Sequence, residues 1–229
     1  MVPVAAPMRP SAERVHEALA RQGLLLLSDA RFPSIVTLVA GAPVRGSWWA
    51  HPAGRAIFRV SEDLADHPDV LVNRLVSGKI TYVHRRLWPA LLALARARQA
   101  WQTHRLSPMA RSLLTRVTRA GSVRLDTIAG PPKRLAKAAR ELEDRLLVHA
   151  ESTHTERGAH ALVLQSWKAW ARGRKAASGA RAARSSSEDV LRARTLLEQI
   201  VDELNSRCGA DGRLPWQNPR TRSQSRRDR

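Results

Sequence analysis

Cysteine is almost absent from this sequence of 229 residues, and no apolar stretch is long enough to cross a bilayer. Cys208 is the only cysteine, which excludes an internal disulfide and a thiolate metal cluster and fits a reducing cytoplasm. The leucine run from Leu24 to Leu27 is far too short for a membrane span. The first residues, MVPVAAPMRPSAER, also lack the apolar core of a secretory signal. We therefore expect a cytoplasmic protein without a membrane partner.

Motifs of the common enzyme classes are missing as well. The chain has no P-loop, no dinucleotide-binding glycine fingerprint and no nucleophile elbow. His149, His154 and His160 surround one predicted hairpin, but their spacing matches no strong metal-ligand motif. A run of acids near a predicted helix end is compatible with acid/base or metal chemistry but is more typical of a solvated surface: Glu62, Asp63, Asp66 and Asp69, with His67. We expect no metal and no cofactor, and enzymatic activity stays open.

Positive charge is what the sequence has in excess. The chain carries 39 Lys and Arg against 20 Asp and Glu, a formal net charge of +19 at pH 7. This excess is far larger than solubility requires and is typical of proteins that bind a polyanion. A surface enriched in arginine merely by base composition is the alternative. The 43% hydrophobic content is enough for a packed core, which excludes a simple disordered tail.

Residues 105–171 carry the clearest secondary-structure signals. Ser107 as N-cap, Pro108 at the first helical position and Gly121 after the end predict a helix. A short helical piece, VRLDTI, and a third helix, KRLAKAARELEDRL, follow it. LLVHAES and AHALVL then predict a β-hairpin. Three helices followed by a hairpin predict a winged helix.

Residues 1–104 repeat the same order. Three helices are predicted, from Ser11 to Gln22, in FPSIVTLVAG and in HPAGRAIFRVSEDLADH. A hairpin from DVLVNRLV and KITYVH and a closing helix in LWPALLALARAR follow. The runs LLLL and VLVNRLV are compatible with either a strand or a buried helix. We predict a mainly α fold with small β-hairpins (α+β), built from tandem winged-helix units at 1–104 and 105–171.

The remaining residues predict accessory segments. They divide into a basic linker (172–186), a C-terminal helix (187–209) and a disordered basic tail (210–229), in which the linker contains no acidic residue. Ser187 is expected to cap the helix, whose apolar stripe needs a surface to bury it. Docking on the rest of the chain is the preferred interpretation, and pairing with a second copy is the alternative, so the oligomeric state stays open.

The third helix of a helix-turn-helix unit enters the major groove, and a wing contacts the backbone or minor groove. In the second unit these elements carry the predicted nucleic-acid-binding residues, namely Lys133, Arg134, Lys137 and Arg140 on the helix and His154 and Arg157 on the wing. A solvated face with Lys137 paired to Glu141 is the alternative. The equivalent helix of the first unit has Arg55 and Arg59 beside several acids, so we expect the second unit to dock and the first to support it.

Two adjacent tryptophans make the least routine stretch of the chain. Trp48 and Trp49 lie in a loop bounded by Gly and Pro, and extended neighbours cannot both face one core. One of them is then available to stack on a base or to line a pocket with Arg45 and His51. Burial of both rings between the helices is the alternative. Trp167 and Trp170 follow the second hairpin at helical spacing and predict core positions.

Three stretches resemble the AlkZ-like (YcaQ-type) winged-helix proteins. They are GSWWAHP before the third helix, LVSGKITYVHRRLWPALLAL across the first wing, and LLVHAESTHTERGAHALVLQSW across the second. Family members with known activity are DNA glycosylases that use several winged-helix units and no metal. Their catalytic signature is Gln, an apolar residue, then Gln or Asp, and this signature is missing after Gln22, Gln99, Gln102 and Gln165. The resemblance therefore implies an uncharacterised relative and supplies no catalytic residue.

Together these observations predict a DNA-binding protein that acts in repair or regulation. Double-stranded DNA is the expected partner, with the linker and tail as sequence-indifferent anchors, and a nucleoid-associated location follows. A DNA glycosylase-like base-excision enzyme, with catalytic groups near Trp48, Trp49 and His51, is one alternative. An RNA- or ribosome-associated basic protein is another, because an arginine-rich tail suits RNA equally well.

Overall fold

The computed structural model describes residues 11–154, 160–174 and 186–217. Its first helix, α1 (Ala12–Gln22), begins where the Ser11 hydroxyl accepts a hydrogen bond from the Arg14 N–H, and it ends at Gly23. The next elements are β1 (Leu24–Leu26), α2 (Ile35–Ala40), α3 (Gly54–Asp66), β2 (Val70–Arg74) and β3 (Ile80–His84). This is the helix, strand, helix, helix, hairpin order of a winged helix.

The leucine run, which the sequence left open between a strand and a buried helix, forms the strand β1. It pairs with β3, which pairs with β2, in an antiparallel sheet of order β1-β3-β2. Leu25 packs into the core formed by α1, α2 and α3, whereas Leu24 and Leu26 pack into a second core on the opposite side of the sheet. Because both faces of this strand are buried, every position is apolar and the alternation that identifies a strand is lost.

The second unit has the same order with a shorter second helix. After α4 (Trp88–Arg96) and α5 (Ala100–Thr103) come α6 (Pro108–Ala120), β4 (Ser122–Arg124), a 3-10 turn (Leu125–Thr127), α7 (Pro132–Asp144), β5 (His149–His154) and β6 (His160–Gln165). The sheet order is β4-β6-β5. The prediction of a helix in VRLDTI was wrong at its start, because Val123 and Arg124 pair with β6. The predicted mainly α, α+β fold class is confirmed.

The C-terminal helix joins the two units. α8 (Trp167–Gly173) follows β6, and α9 (Ser187–Cys208) packs its apolar stripe along α4, as the docking interpretation predicted. Trp167 and Trp170 are buried in the same core. Within the described residues, no helix is long and apolar enough to cross a membrane.

The basic tail does not begin at residue 210 as predicted. Residues 210–217 fold back on the helices, and Leu214 and Trp216 are buried. The Trp216 Nε1 donates a hydrogen bond to the Glu198 carboxylate at 2.7 Å. The prediction missed this segment because one leucine and one tryptophan stand among polar residues without periodicity. The remaining tail, like most of the basic linker, lies outside the described residues.

Candidate nucleic-acid interface

Helix α7 presents a basic N-terminal half to solvent. Its apolar positions Leu135, Ala138, Ala139 and Leu142 are buried against α6 and the second sheet. The helical period therefore directs Lys133, Arg134 and Lys137 outward, and all three are exposed. No side chain caps the helix beginning, where Pro131 and Pro132 stand. The positive end of the helix dipole thus lies beside three cations.

These three cations form no ion pair within the described residues. The alternative in which Lys137 pairs with Glu141 is not what the structure shows. Glu141 instead accepts a hydrogen bond from the Ser107 N–H at 3.0 Å and lies 3.8 Å from the Arg145 guanidinium. The Glu141 carboxylate is thereby directed away from the basic half of the helix, towards the beginning of α6 and the end of α7.

Arg140, predicted to contact nucleic acid, has a structural role instead. Its guanidinium donates a hydrogen bond to the Gly78 carbonyl at 2.7 Å, in the turn between β2 and β3 of the first unit. It also pairs with Asp144 at 2.8 Å. The prediction treated the second unit alone, and nothing in the helical period shows that another unit covers this end of the helix.

A second contact between the units lies beside Arg140. Arg74 of β2 lies 3.5 Å from the carboxylate of Glu143 on α7. Burial raises the pKa of Glu143, and the neighbouring Arg74 and Arg140 oppose that rise. The C-terminal half of α7 is therefore a joint between the units, and only the N-terminal half is free to bind a ligand.

The wing of the second unit is described as far as its strand ends. β5 and β6 pair from His149 opposite Gln165 to His154 opposite His160. The prediction of a β-hairpin is confirmed, and the structure adds the register of its two strands. Arg157 and the side chain of His154, both predicted to contact nucleic acid, lie outside the described residues.

The first unit carries mixed charges on its third helix, as predicted. Arg55 and Arg59 are exposed on α3, but Glu62, Asp63 and Asp66 are exposed further along the same helix. Carboxylates at these positions repel phosphate groups. This helix is consequently a weaker phosphate-binding surface than the basic half of α7.

An aromatic surface lies at the beginning of α3. Trp48 is half-buried against the core of the first unit, whereas Trp49 is 63% exposed and stacks on Trp48 with ring centroids 4.2 Å apart. Phe58 is 41% exposed and lies 5.4 Å from the Trp49 ring. We call Trp48, Trp49 and Phe58 the aromatic platform. The alternative that both tryptophans are buried is therefore wrong.

Local backbone packing holds the aromatic platform in place. The Nδ1 of His51 accepts a hydrogen bond from the Ala53 N–H at 3.1 Å, just before α3. A Cβ on Gly54 would lie 2.9 Å from the carbonyl oxygens of both Trp48 and Trp49, so only glycine permits this approach. Arg45 is exposed in the same loop. The four predicted pocket residues thus form an open surface and not an enclosed pocket.

Phe58 was not among the predicted site residues, although the sequence contained the signal. Ile57, Val60 and Leu64 are the inward-facing positions of α3, which places residue 58 on the outside of the helix. An exposed phenylalanine next to an exposed tryptophan is uncommon on a surface that binds nothing.

Comparisons with known proteins assign the chain to no family. No protein-family model, no curated protein and no solved structure matches it. Its function is consequently inferred from the surface chemistry described above.

Proposed function

We propose that the chain is a winged-helix protein that binds double-stranded DNA through the basic half of α7. The observation that supports this proposal is the exposure of Lys133, Arg134 and Lys137, without ion pairs, on the third helix of the second unit. Third helices of this fold class insert into the major groove, where their first turns approach bases and phosphates. Repair or regulation, as in the AlkZ-like proteins that the sequence resembles, is the proposed context.

The energetics of such a surface are dominated by counterion release. Each phosphate that a cation neutralises contributes about −0.9 to the slope of log affinity against log salt. The three free cations of α7 therefore contribute about −2.7, and other basic segments add to this value. Arg140 is left out of this sum, because its guanidinium already binds the Gly78 carbonyl and the Asp144 carboxylate.

A gel-shift series with a random-sequence duplex at increasing salt tests the proposal. The double variant Lys133→Glu, Lys137→Glu should bind at least tenfold more weakly and show a salt slope shallower by about 1.8. Arg192→Glu is the control for charge reversal, because Arg192 is exposed on α9, outside the proposed interface, where it pairs with Glu188. Equal affinity and slope for the double variant and the control would refute the role of α7.

The type of nucleic acid is tested on the same purified protein. Nucleic acid that copurifies with the full chain is digested separately with DNase and RNase. Sensitivity to DNase alone supports the proposal, and sensitivity to RNase alone supports the RNA- or ribosome-associated alternative.

The aromatic platform supports a second candidate function, recognition of an unpaired or flipped base. Trp49 and Phe58 present apolar ring surface to solvent, and the neighbouring Arg55 and Arg59 form no ion pair within the described residues. Stacking on an aromatic side chain is worth about 1–3 kcal/mol per base. This combination suits a protein that inspects bases, including a base-excision enzyme, although the chain lacks the signature of the glycosylases.

A duplex with one unpaired base and a fully paired duplex separate this candidate from simple duplex binding. Trp49→Ala should lower affinity for the first duplex by about 5- to 150-fold and leave the second unchanged. Leu191→Ala is the control, because Leu191 is equally exposed at 63% but lies on α9. Incubation with alkylated duplex, followed by detection of abasic sites, tests the enzymatic alternative directly.

A further inference from the structure

Three side chains from distant parts of the chain meet beside the first sheet. His16 lies on α1, Asp69 precedes β2 and His84 ends β3. One potential ligand atom of each residue lies within 4.8 Å of the others. The register of the sheet causes part of this meeting, because Val70 pairs with His84 and so places Asp69 beside it.

The hydrogen bonds of these residues leave the relevant atoms available. The Nε2 of His16 is inaccessible to solvent and has no hydrogen-bond partner, which is costly for a buried polar atom. The Nδ1 of His84 accepts a bond from the Arg86 N–H at 3.4 Å, so its Nε2 is the free nitrogen. One oxygen of Asp69 pairs with Arg85 at 3.1 Å, which leaves the second oxygen for a ligand.

We infer that His16, Asp69 and His84 form a binding site for a divalent transition metal of the zinc type. Two imidazoles and one carboxylate are a ligand set that zinc accepts, and three protein ligands with an open position are typical of reactive zinc sites. Ligand bonds of about 2.0–2.2 Å require the three atoms to approach to roughly 3.3 Å. From separations of at most 4.8 Å, each pair of atoms would have to close by at most about 1.5 Å. This inference does not depend on the proposed function.

Neighbouring groups orient two of the proposed ligands. The His67 ring lies 3.9 Å from the His16 ring, and its Nδ1 accepts a hydrogen bond from the Asp69 N–H at 3.1 Å. The Arg85 guanidinium fixes one carboxylate oxygen of Asp69. Such outer contacts position ligands and raise metal affinity in characterised sites.

Zinc titration of the full chain, made metal-free by dialysis against a chelator, tests the inference. We expect one equivalent to bind, and Tm to rise by about 5–10 °C at free zinc about 100 times Kd. Cobalt bound in place of zinc should give the visible absorption of a four-coordinate site. No rise in Tm, or no saturable binding, would overturn the inference.

Variants identify the ligands. His84→Ala and Asp69→Asn should each weaken zinc binding at least about tenfold. His104→Ala is the control, because its imidazole lies at the end of α5, and it should bind zinc like the native chain. Zinc binding that all three variants retain equally would place the metal elsewhere and refute the site. Asp69→Asn preserves side-chain shape, so it decides the matter if His84→Ala does not fold.

Discussion

Acid should destabilise this protein through His149, and the effect is large enough to measure. The imidazole is only 5% exposed and packs against both the Trp167 and the Trp170 rings, with centroid distances of 5.7 and 5.8 Å. Its Nδ1 has no hydrogen-bond partner. Burial lowers the pKa of His149 to about 3, and the charge of Arg174 lowers it further.

The direction of the effect follows from the difference between the pKa of His149 in the folded chain and its pKa in the unfolded chain. The unfolded chain protonates this imidazole near pH 6.5, whereas the folded chain keeps it neutral. Stability is therefore complete above pH 6.5 and is lost as the pH falls towards 3. Between pH 7 and pH 5 the loss is about 2 kcal/mol, which lowers Tm by about 4–8 °C.

Urea unfolding at pH 7 and pH 5, followed by tryptophan fluorescence, measures this loss. His149→Leu should remove about 2 kcal/mol of the pH dependence, leaving the contributions of His16 and His84, whose pKa values are also lowered. Val148→Ala is the control, because it leaves a cavity in the core of the second unit without introducing or removing a titrating group, and should lower stability equally at both pH values. A native pH dependence that His149→Leu leaves intact would refute the reasoning.

Three further predictions concern local contacts that hold elements of the fold in place. Gly54→Ala places a Cβ against two carbonyl oxygens, so it should shift the emission of the exposed Trp49 and lower Tm by a few degrees. Arg140→Ala removes the bond to Gly78, and hydrogen exchange should then accelerate in the β2–β3 turn while the α6 helix stays protected. Ser186→Ala removes the capping box of α9 and should lower the free energy of unfolding by about 1 kcal/mol in urea titration.

Much of the secondary structure could be predicted because it depends on local chemistry. Ser107 caps its helix as expected, and Gly23 and Gly121 end theirs. The predicted cap of α9 was wrong by one residue, because Ser186 and not Ser187 accepts the capping hydrogen bond. These signals act within one or two turns, so a sequence pattern contains them completely. The two hairpins were also predicted, because each pair of apolar runs flanks turn residues, such as Ser77 and Gly78 in the first unit.

The strands β1 and β4 were not predicted because their pairing is not local. β1 joins the sheet through β3, whose partner residues lie more than fifty positions away. Its apolar residues serve two cores, and β4 is only three residues long with exposed ends. Neither strand shows the alternation by which strands are identified.

The candidate sites likewise combine features that depend on local sequence with features that depend on tertiary packing. Exposure of Lys133, Arg134 and Lys137 follows from the period of a single helix and could be predicted. The hydrogen bond from Arg140 to the Gly78 carbonyl could not be predicted, because Gly78 belongs to the other unit. The group of His16, Asp69 and His84 is assembled entirely by tertiary packing, so no spacing in the sequence indicates it.

The long separation between α4 and α9 has a consequence for synthesis on the ribosome. α4 is apolar on nearly every side, and α9 is the element that packs most extensively against it within the described residues. At ordinary elongation rates, the roughly 90 residues between them take about 5–20 s to appear. During that interval the emerging chain exposes an apolar helix surface, which raises its tendency to aggregate before synthesis is complete.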